Sequence, residues 1–274
     1  MRRIHGSRWL EALAWAGASS LVLVSLANAQ SPTDWSDVEG RIQYAYYTND
    51  ARALESLLAS LKPRAVEGET PAADAGTRHY FSALTHYRIA QVLATANKGR
   101  ARSAIGACGD ETDAAVKTLP KVPVGLDDAP EARRQRAESY SLATACTLAG
   151  REMSSLPLLG GRIGSRIDEA VKLEPKNPRV RLVEALAAYE RAGKDAAAKS
   201  AAVAQLRTST QMFEAARTGP STTPEWGAAD AYAFLGRVLL AERDIVGARE
   251  ALERALLIAP DYAMARQLMA QITR

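Results

Sequence analysis

The chain has 274 residues, 35 of them basic and 31 acidic, with three histidines and two cysteines. With charges so nearly balanced and no Lys/Arg run to track a phosphate backbone, the composition excludes an electrostatic nucleic-acid binder. Apolar residues make up 47%, enough for a core, and abundant Ala beside sparse Val and Ile favours helices throughout.

Residues 1–29 read as a signal peptide outside the fold. Arg2, Arg3 and Arg8 form a basic start, Leu10 to Leu26 are mainly small or apolar, and Ala27-Asn28-Ala29 is a cleavage signature, placing the cut between Ala29 and Gln30. A retained membrane helix is the competing reading, disfavoured by Ser19, Ser20 and Ser25 and by the small-residue exit. Loss of Arg2, Arg3, Arg8 and Glu11 leaves 32 basic and 30 acidic residues over 245, a net +2. The expectation is an exported protein, periplasmic or secreted, with no stable membrane span after cleavage.

Residues 30–274 are expected to form a single all-α domain of about eleven helices. Thr33 to Tyr47 and Asp50 to Leu61 make a first pair, with Leu54, Leu57, Leu58 and Leu61 at helical spacing. A loop follows from Pro63 to Gly76. His79 to Ala96 and Arg100 to Lys117 come next, joined by the turn Asn97-Lys98-Gly99. Three prolines and a glycine break the chain from Leu119 to Pro130, and Asp128 and Pro130 open Glu131 to Gly150. A proline–glycine insertion, Pro157 to Gly161, precedes Arg162 to Leu173. Asn177-Pro178 supplies a cap and first-turn proline for a helix to Ala192. Its partner runs from Asp195 to Arg217, and Thr223-Pro224 leads into the clearest stretch, Trp226 to Pro260. Asp261 to Ile272 is the last helix.

Within that stretch Tyr232, Leu235, Gly236 and Leu239 keep an aromatic-x-x-L-G-x-x-large spacing. Ala248, Leu252, Ala255 and Pro260 keep an A-x-x-x-large-x-x-A-x-x-x-x-P spacing. Small side chains at Gly236, Ala248 and Ala255 let two helices approach while the leucines fill the space around them. Trp226 to Pro260 therefore resembles a tetratricopeptide repeat. A partial match runs from about Thr144 to Pro175, with Ile167 and Ala170 in the large and small positions. The resemblance implies a right-handed solenoid of helical hairpins, irregular because of its inserted loops, and the divergent repeat proteins that bacteria export mostly bind partners or act as scaffolds.

A non-enzymatic protein-interaction or scaffold module of the bacterial envelope is thus the leading expectation, its partner an unknown protein or peptide. The alternative is a small-ligand-binding accessory of an envelope transport system, which would need an enclosed pore or pocket. An enzyme with an unrecognised helical site is a third reading. On the first reading the concave side is lined by the first helices of each pair. Arg237 and Leu240 flank Ala233 there, and Arg181, Ala185 and Tyr189 take equivalent positions one unit earlier. Arg and Tyr suit partner contact, although Arg181 and Arg237 as solvated charges and Tyr189 as core fit equally.

No chemistry-bearing motif stands out, and neither a catalytic residue, a cofactor nor a metal site is expected. There is no P-loop, no G-x-G-x-x-G, no G-x-S-x-G and no S-x-x-K. His79 and His86 share a helix face without metal-ligand spacing. Asp110, Glu111 and Asp113 read as a solvated face, and Asp127-Asp128 as a loop with a cap. Cys108 and Cys146 are either disulfide-bonded, as an oxidising compartment invites, or two separate buried cysteines.

Overall fold

The computed structural model describes residues 34–62, 72–119, 130–154, 160–217 and 225–272, with the backbone alone at 72–73, 152–154 and 160–163. The leader with Ala29 and Gln30, the Asp127-Asp128 cap, Pro157 and Thr223-Pro224 lie outside the described residues. Among those residues there are eleven α-helices and no strand. They are α1 (Trp35–Tyr47), α2 (Ala51–Ser60), α3 (Ala72–Leu93), α4 (Lys98–Thr118), α5 (Pro130–Ser154) and α6 (Gly160–Leu173), followed by α7 (Pro178–Ala192), α8 (Ala196–Ala216), α9 (Ala228–Ala241), α10 (Ile245–Ile258) and α11 (Ala263–Ile272). No helix among them is long and apolar enough to cross a membrane.

Local chemistry sets most of the helix starts. Asp34 accepts from the amides of Ser36 and Asp37, Asp50 from Ala53, Asn97 from Arg100, and Asp195 from Ala197 and Ala198. Each satisfies a donor that the first turn leaves without an intrahelical partner. Asn177 does the same for Arg179 and Val180, with Pro178 just inside the helix.

Three expectations need correction. The loop expected from Pro63 to Gly76 ends earlier, because α3 begins at Ala72 and Gly76 is a buried helical residue. The turn at Asn97-Lys98-Gly99 shrinks to Asn97, whose side chain caps a helix already containing Lys98 and Gly99. Gly160 and Gly161 belong to the first turn of α6, and α5 continues past Gly150 to Ser154. In all three places a glycine lies near a helix end, where its cost of about 1 kcal/mol is too small to stop the helix.

Each odd-numbered helix from α1 to α9 packs against the even helix after it. From α1 to α5 it also packs against the next odd helix, and α9 packs against α11. In the α9–α10 pair, Leu235, Gly236, Leu239, Ala248, Leu252 and Ala255 are all buried. Gly236 is required there: a Cβ would lie 2.7 Å from Leu252 Cγ and 3.3 Å from the Ala248 carbonyl oxygen. Tyr232 is half-buried, its hydroxyl donating to Glu214. Pro260 follows the Ala259 cap in the turn that ends α10.

Three apolar clusters fill the interior. One runs through α1 to α7 and takes in Trp226, and a second joins α7 to α10. The third unites the two ends, placing Tyr46 and Tyr47 of α1 with Ala229, Ala233 and Tyr262. Cys108 of α4 and Cys146 of α5 are joined in a disulfide, with 6.2 Å between their Cα atoms, and both are buried.

Candidate functional site

Where the odd helices face one another, the interior is polar. Arg88 on α3 and Asp230 on α9 pair at 2.8 Å with only 1% of either side chain exposed. A buried guanidinium needs its charge and most of its donors matched, and Arg88 has partners at both terminal nitrogens though not at Nε. Here Arg88 Nη2 donates to Asp230 and, at 3.0 Å, to Gln43 of α1, while Nη1 donates to Gln91 at 2.7 Å. The Tyr46 ring lies 4.0 Å from the guanidinium carbon. Asp230 also accepts from the Gly227 amide at 3.0 Å and from the Tyr262 hydroxyl at 3.3 Å. Since Tyr262 donates there, Tyr46 is the donor in the 2.8 Å hydroxyl pair that joins α1 to the start of α11.

A second cation, Arg179 in the first turn of α7, ties four elements together. Its Nη1 donates to Glu138 of α5 at 2.9 Å, its Nη2 to Glu39 of α1 at 2.6 Å, and its Nε to the Trp226 carbonyl at 3.1 Å. Glu138 further accepts from Asn177 at 3.0 Å and from Tyr80 at 3.1 Å. Trp226 bridges the two groups. Its indole N–H donates to Tyr80 at 2.8 Å, its backbone amide to Glu39 at 3.0 Å, and its ring lies 5.9 Å from the Arg88 guanidinium and 5.3 Å from that of Arg179. Gly227 turns the chain from this tryptophan into α9 at φ +113°, and a Cβ there would lie 2.5 Å from Phe213. Only glycine meets both demands.

Of the three carboxylates around Arg179, which include the exposed Glu225 at 3.9 Å, the two buried ones titrate in opposite directions. Burial raises the Glu39 carboxyl above its ordinary value, and Arg179 and the Trp226 amide only partly offset this. Burial opposes the charge of Glu138 as well, but Arg179 and Asn177 outweigh it and hold that carboxyl low. Burial also pushes the Tyr46, Tyr47, Tyr80 and Tyr262 hydroxyls well up, so these tyrosines stay protonated, and all but Tyr47 serve as hydrogen-bonding groups. The guanidinium sits between Glu39 and Glu138, in the space a substrate would need between two working carboxylates. The arrangement is suited to holding helices together.

The residues singled out for partner contact lie elsewhere. Arg181 donates to the Pro175 carbonyl at 2.7 Å and pairs with Glu184 at 2.6 Å. Tyr189 lies under the Lys199 ammonium at 5.4 Å, and Arg237 lies over the Phe234 ring at 5.0 Å. Tyr189 and Leu240 are each partly buried against the second apolar cluster. Arg181 and Arg237 are both half-buried, and the groove face expected through Ala185 and Ala233 is not open, because both alanines are fully buried. His79 bonds Glu111 at 2.6 Å and Asp113 pairs with Arg166 at 2.7 Å, so part of the expected solvated acidic face is paired between helices. No group of three or more His, Cys, Asp or Glu side chains that could hold a metal occurs among the described residues.

Sequence reasoning missed Glu39, Arg88, Glu138, Arg179 and Asp230. One signal was present: Trp35, Glu39, Gln43 and Tyr46 follow one another at steps of four, four and three, putting two polar residues on an aromatic helix face. No family model, curated protein or solved structure matches the chain.

Proposed function

We infer that the protein is an exported, non-enzymatic adaptor built from divergent tetratricopeptide-like hairpins arranged as a right-handed solenoid. The observation that carries this is the packing order, in which α1, α3 and α5 repeat one scheme: an odd helix against the following even helix and the next odd helix. Adjacent pairs stacked in this way follow the scheme of helical-repeat arrays, here closed by contacts from α1 and α3 to the C-terminal helices, and the common use of such arrays is to present surface to partners. The close contact of Gly236 with Leu252 and Ala248 agrees with the repeat reading of Trp226 to Pro260.

The middle, where a small-ligand accessory would need a pore, is filled by Arg88, Gln43 and Tyr262, each below 2% exposed. Open surface lies on the outside. An open groove of about 400 Å³ runs between α8, α9 and α10, floored by Leu235 and Ala251 and rimmed by Arg207, Glu250 and Arg254. Leu257 stands beside it 73% exposed, and Val246 one face along α10 is 71% exposed. Exposed apolar side chains with a charged rim are the ordinary composition of a transient interface.

Affinity capture with residues 30–274 from the native envelope fraction tests this. Partners enriched over an unrelated exported protein should be lost when Val246→Asp and Leu257→Asp are introduced together. Equal recovery with the unmodified and the substituted chain, or no enrichment, would overturn the reading.

A further inference from the structure

The inward surface of α3, α5 and α7 with the Trp226–Asp230 segment is organised without help from α1. Glu138 holds Arg179 Nη1 and the Trp226 carbonyl holds Nε, which leaves Nη2 as the donor pointed at Glu39. Tyr80 and Asn177 fix Glu138 from two further sides, and the Trp226 indole fixes Tyr80. Asp230 and Gln91 likewise hold both terminal nitrogens of Arg88. The Arg179 Nη2 donor and the Trp226 amide, set among aromatic rings, are pre-organised for a side-chain acceptor, and pre-organisation lowers the ordering cost of binding.

What rests on it is α1. Four residues on one face of that helix each reach this surface. Trp35 stacks on Phe81 at 5.3 Å and 6°, Glu39 takes the Arg179 and Trp226 donors, Gln43 accepts from Arg88, and Tyr46 lies against the Arg88 guanidinium. The fit is incomplete. Gln43 Nε2 and Tyr47 OH on α1 and Arg88 Nε opposite are buried and make no hydrogen bond within the protein. Unpaired buried polar groups oppose the docking that buries them, so α1 is held less tightly than its buried area suggests.

We propose that this inward surface is a recognition site for an amphipathic helix that carries one glutamate among aromatic residues, and that α1 is its resident occupant. A partner helix presenting aromatic, Glu, amide and Tyr side chains at the α1 spacing competes for the same donors. In the unmodified chain α1 excludes it, because a tethered helix acts at an effective concentration on the order of millimolar. The proposal gives the adaptor reading a second partner surface, independent of the outer groove.

The probe is a fluorescently labelled peptide of residues 33–50, titrated by anisotropy into two full chains: the unmodified one and one carrying Glu39→Ala and Tyr46→Ala. The substituted chain should bind the peptide at least tenfold more tightly than the unmodified chain, and a peptide with Trp35→Ala and Glu39→Ala should not bind. A folded substituted chain that ignores the peptide, or binds both peptides equally, overturns the proposal. Should that chain not fold, hydrogen exchange on the unmodified chain decides. The α1 amides should open before those of α3 and α9, and coincident exchange would count against α1 as a displaceable occupant. The peptide test uses no captured partner, so its failure leaves the adaptor reading standing, and a failed capture leaves the peptide test meaningful.

Discussion

Arg179 shows how one side chain's environment assigns opposite roles to two like residues. The raised carboxyl of Glu39 means that its charge costs stability as pH rises through the folded value. The contribution of Glu39 is therefore fully present below its ordinary value of 4.5 and declines above it. The lowered carboxyl of Glu138 works the other way, with stability present above 4.5 and lost as pH falls through the folded value. Glu39→Gln keeps an acceptor for the Trp226 amide and removes the charge. It is expected to leave the melting temperature at pH 7 unchanged or higher, and to bring no gain at pH 4. Glu138→Gln turns an amide donor toward Arg179, Tyr80 or Asn177 and should cost about 1–3 kcal/mol at pH 7. At about 2–4 °C per kcal/mol for a chain of this size, thermal scans at the two pH values resolve both effects. None of this was legible in the sequence. Residues 39, 138 and 179 are far apart along the chain, and a glutamate in a helical segment reads as solvent-facing unless its neighbours in space are known.

At the scale of the element, the helix starts were legible because their causes are local. Asn177-Pro178 and Asp195 announce α7 and α8 within a few residues of the observed ends. Glycine misled at Gly76, Gly99 and Gly160, since sequence does not say whether a glycine ends a helix or lets another chain approach. Two glycines separate those cases. A Cβ on Gly236 would lie 2.7 Å from Leu252, whereas one on Gly106, exposed in α4, would meet nothing within 4 Å. Alanine adds helix propensity of about 0.5–1 kcal/mol at either site, and overpacking costs about 1–3 kcal/mol. Gly106→Ala should therefore raise the denaturation midpoint and Gly236→Ala should lower it. Urea melts of the two variants read the signs directly, and a stabilised Gly236→Ala would contradict the close-packed pairing of α9 with α10.

Over the whole molecule, closure is the property that sequence concealed. The repeat spacing of Trp226 to Pro260 speaks for one pair of helices and its neighbours, and a regular array of such pairs would leave its inner face open. Instead α1 and α11 meet through Tyr46 and Tyr262, 216 residues apart, and α3 meets α9 through Arg88 and Asp230, 142 residues apart. Trp226 was legible as the start of the repeat, but its part in holding Glu39 and Tyr80 depends on this closure. A buried ion pair is weak evidence of net stability but strong evidence of a specified arrangement, because removing one partner leaves the other charge stranded, at about 3–5 kcal/mol. The most direct test is a double-mutant cycle on Arg88→Met and Asp230→Asn, followed by urea denaturation. If α3 and α9 are tied through this pair, each single change should be costly and the double change much less than their sum, giving a coupling of about 1–3 kcal/mol. Costs that add to within about 0.5 kcal/mol would mean that the two side chains do not meet, and would contradict the closed interior.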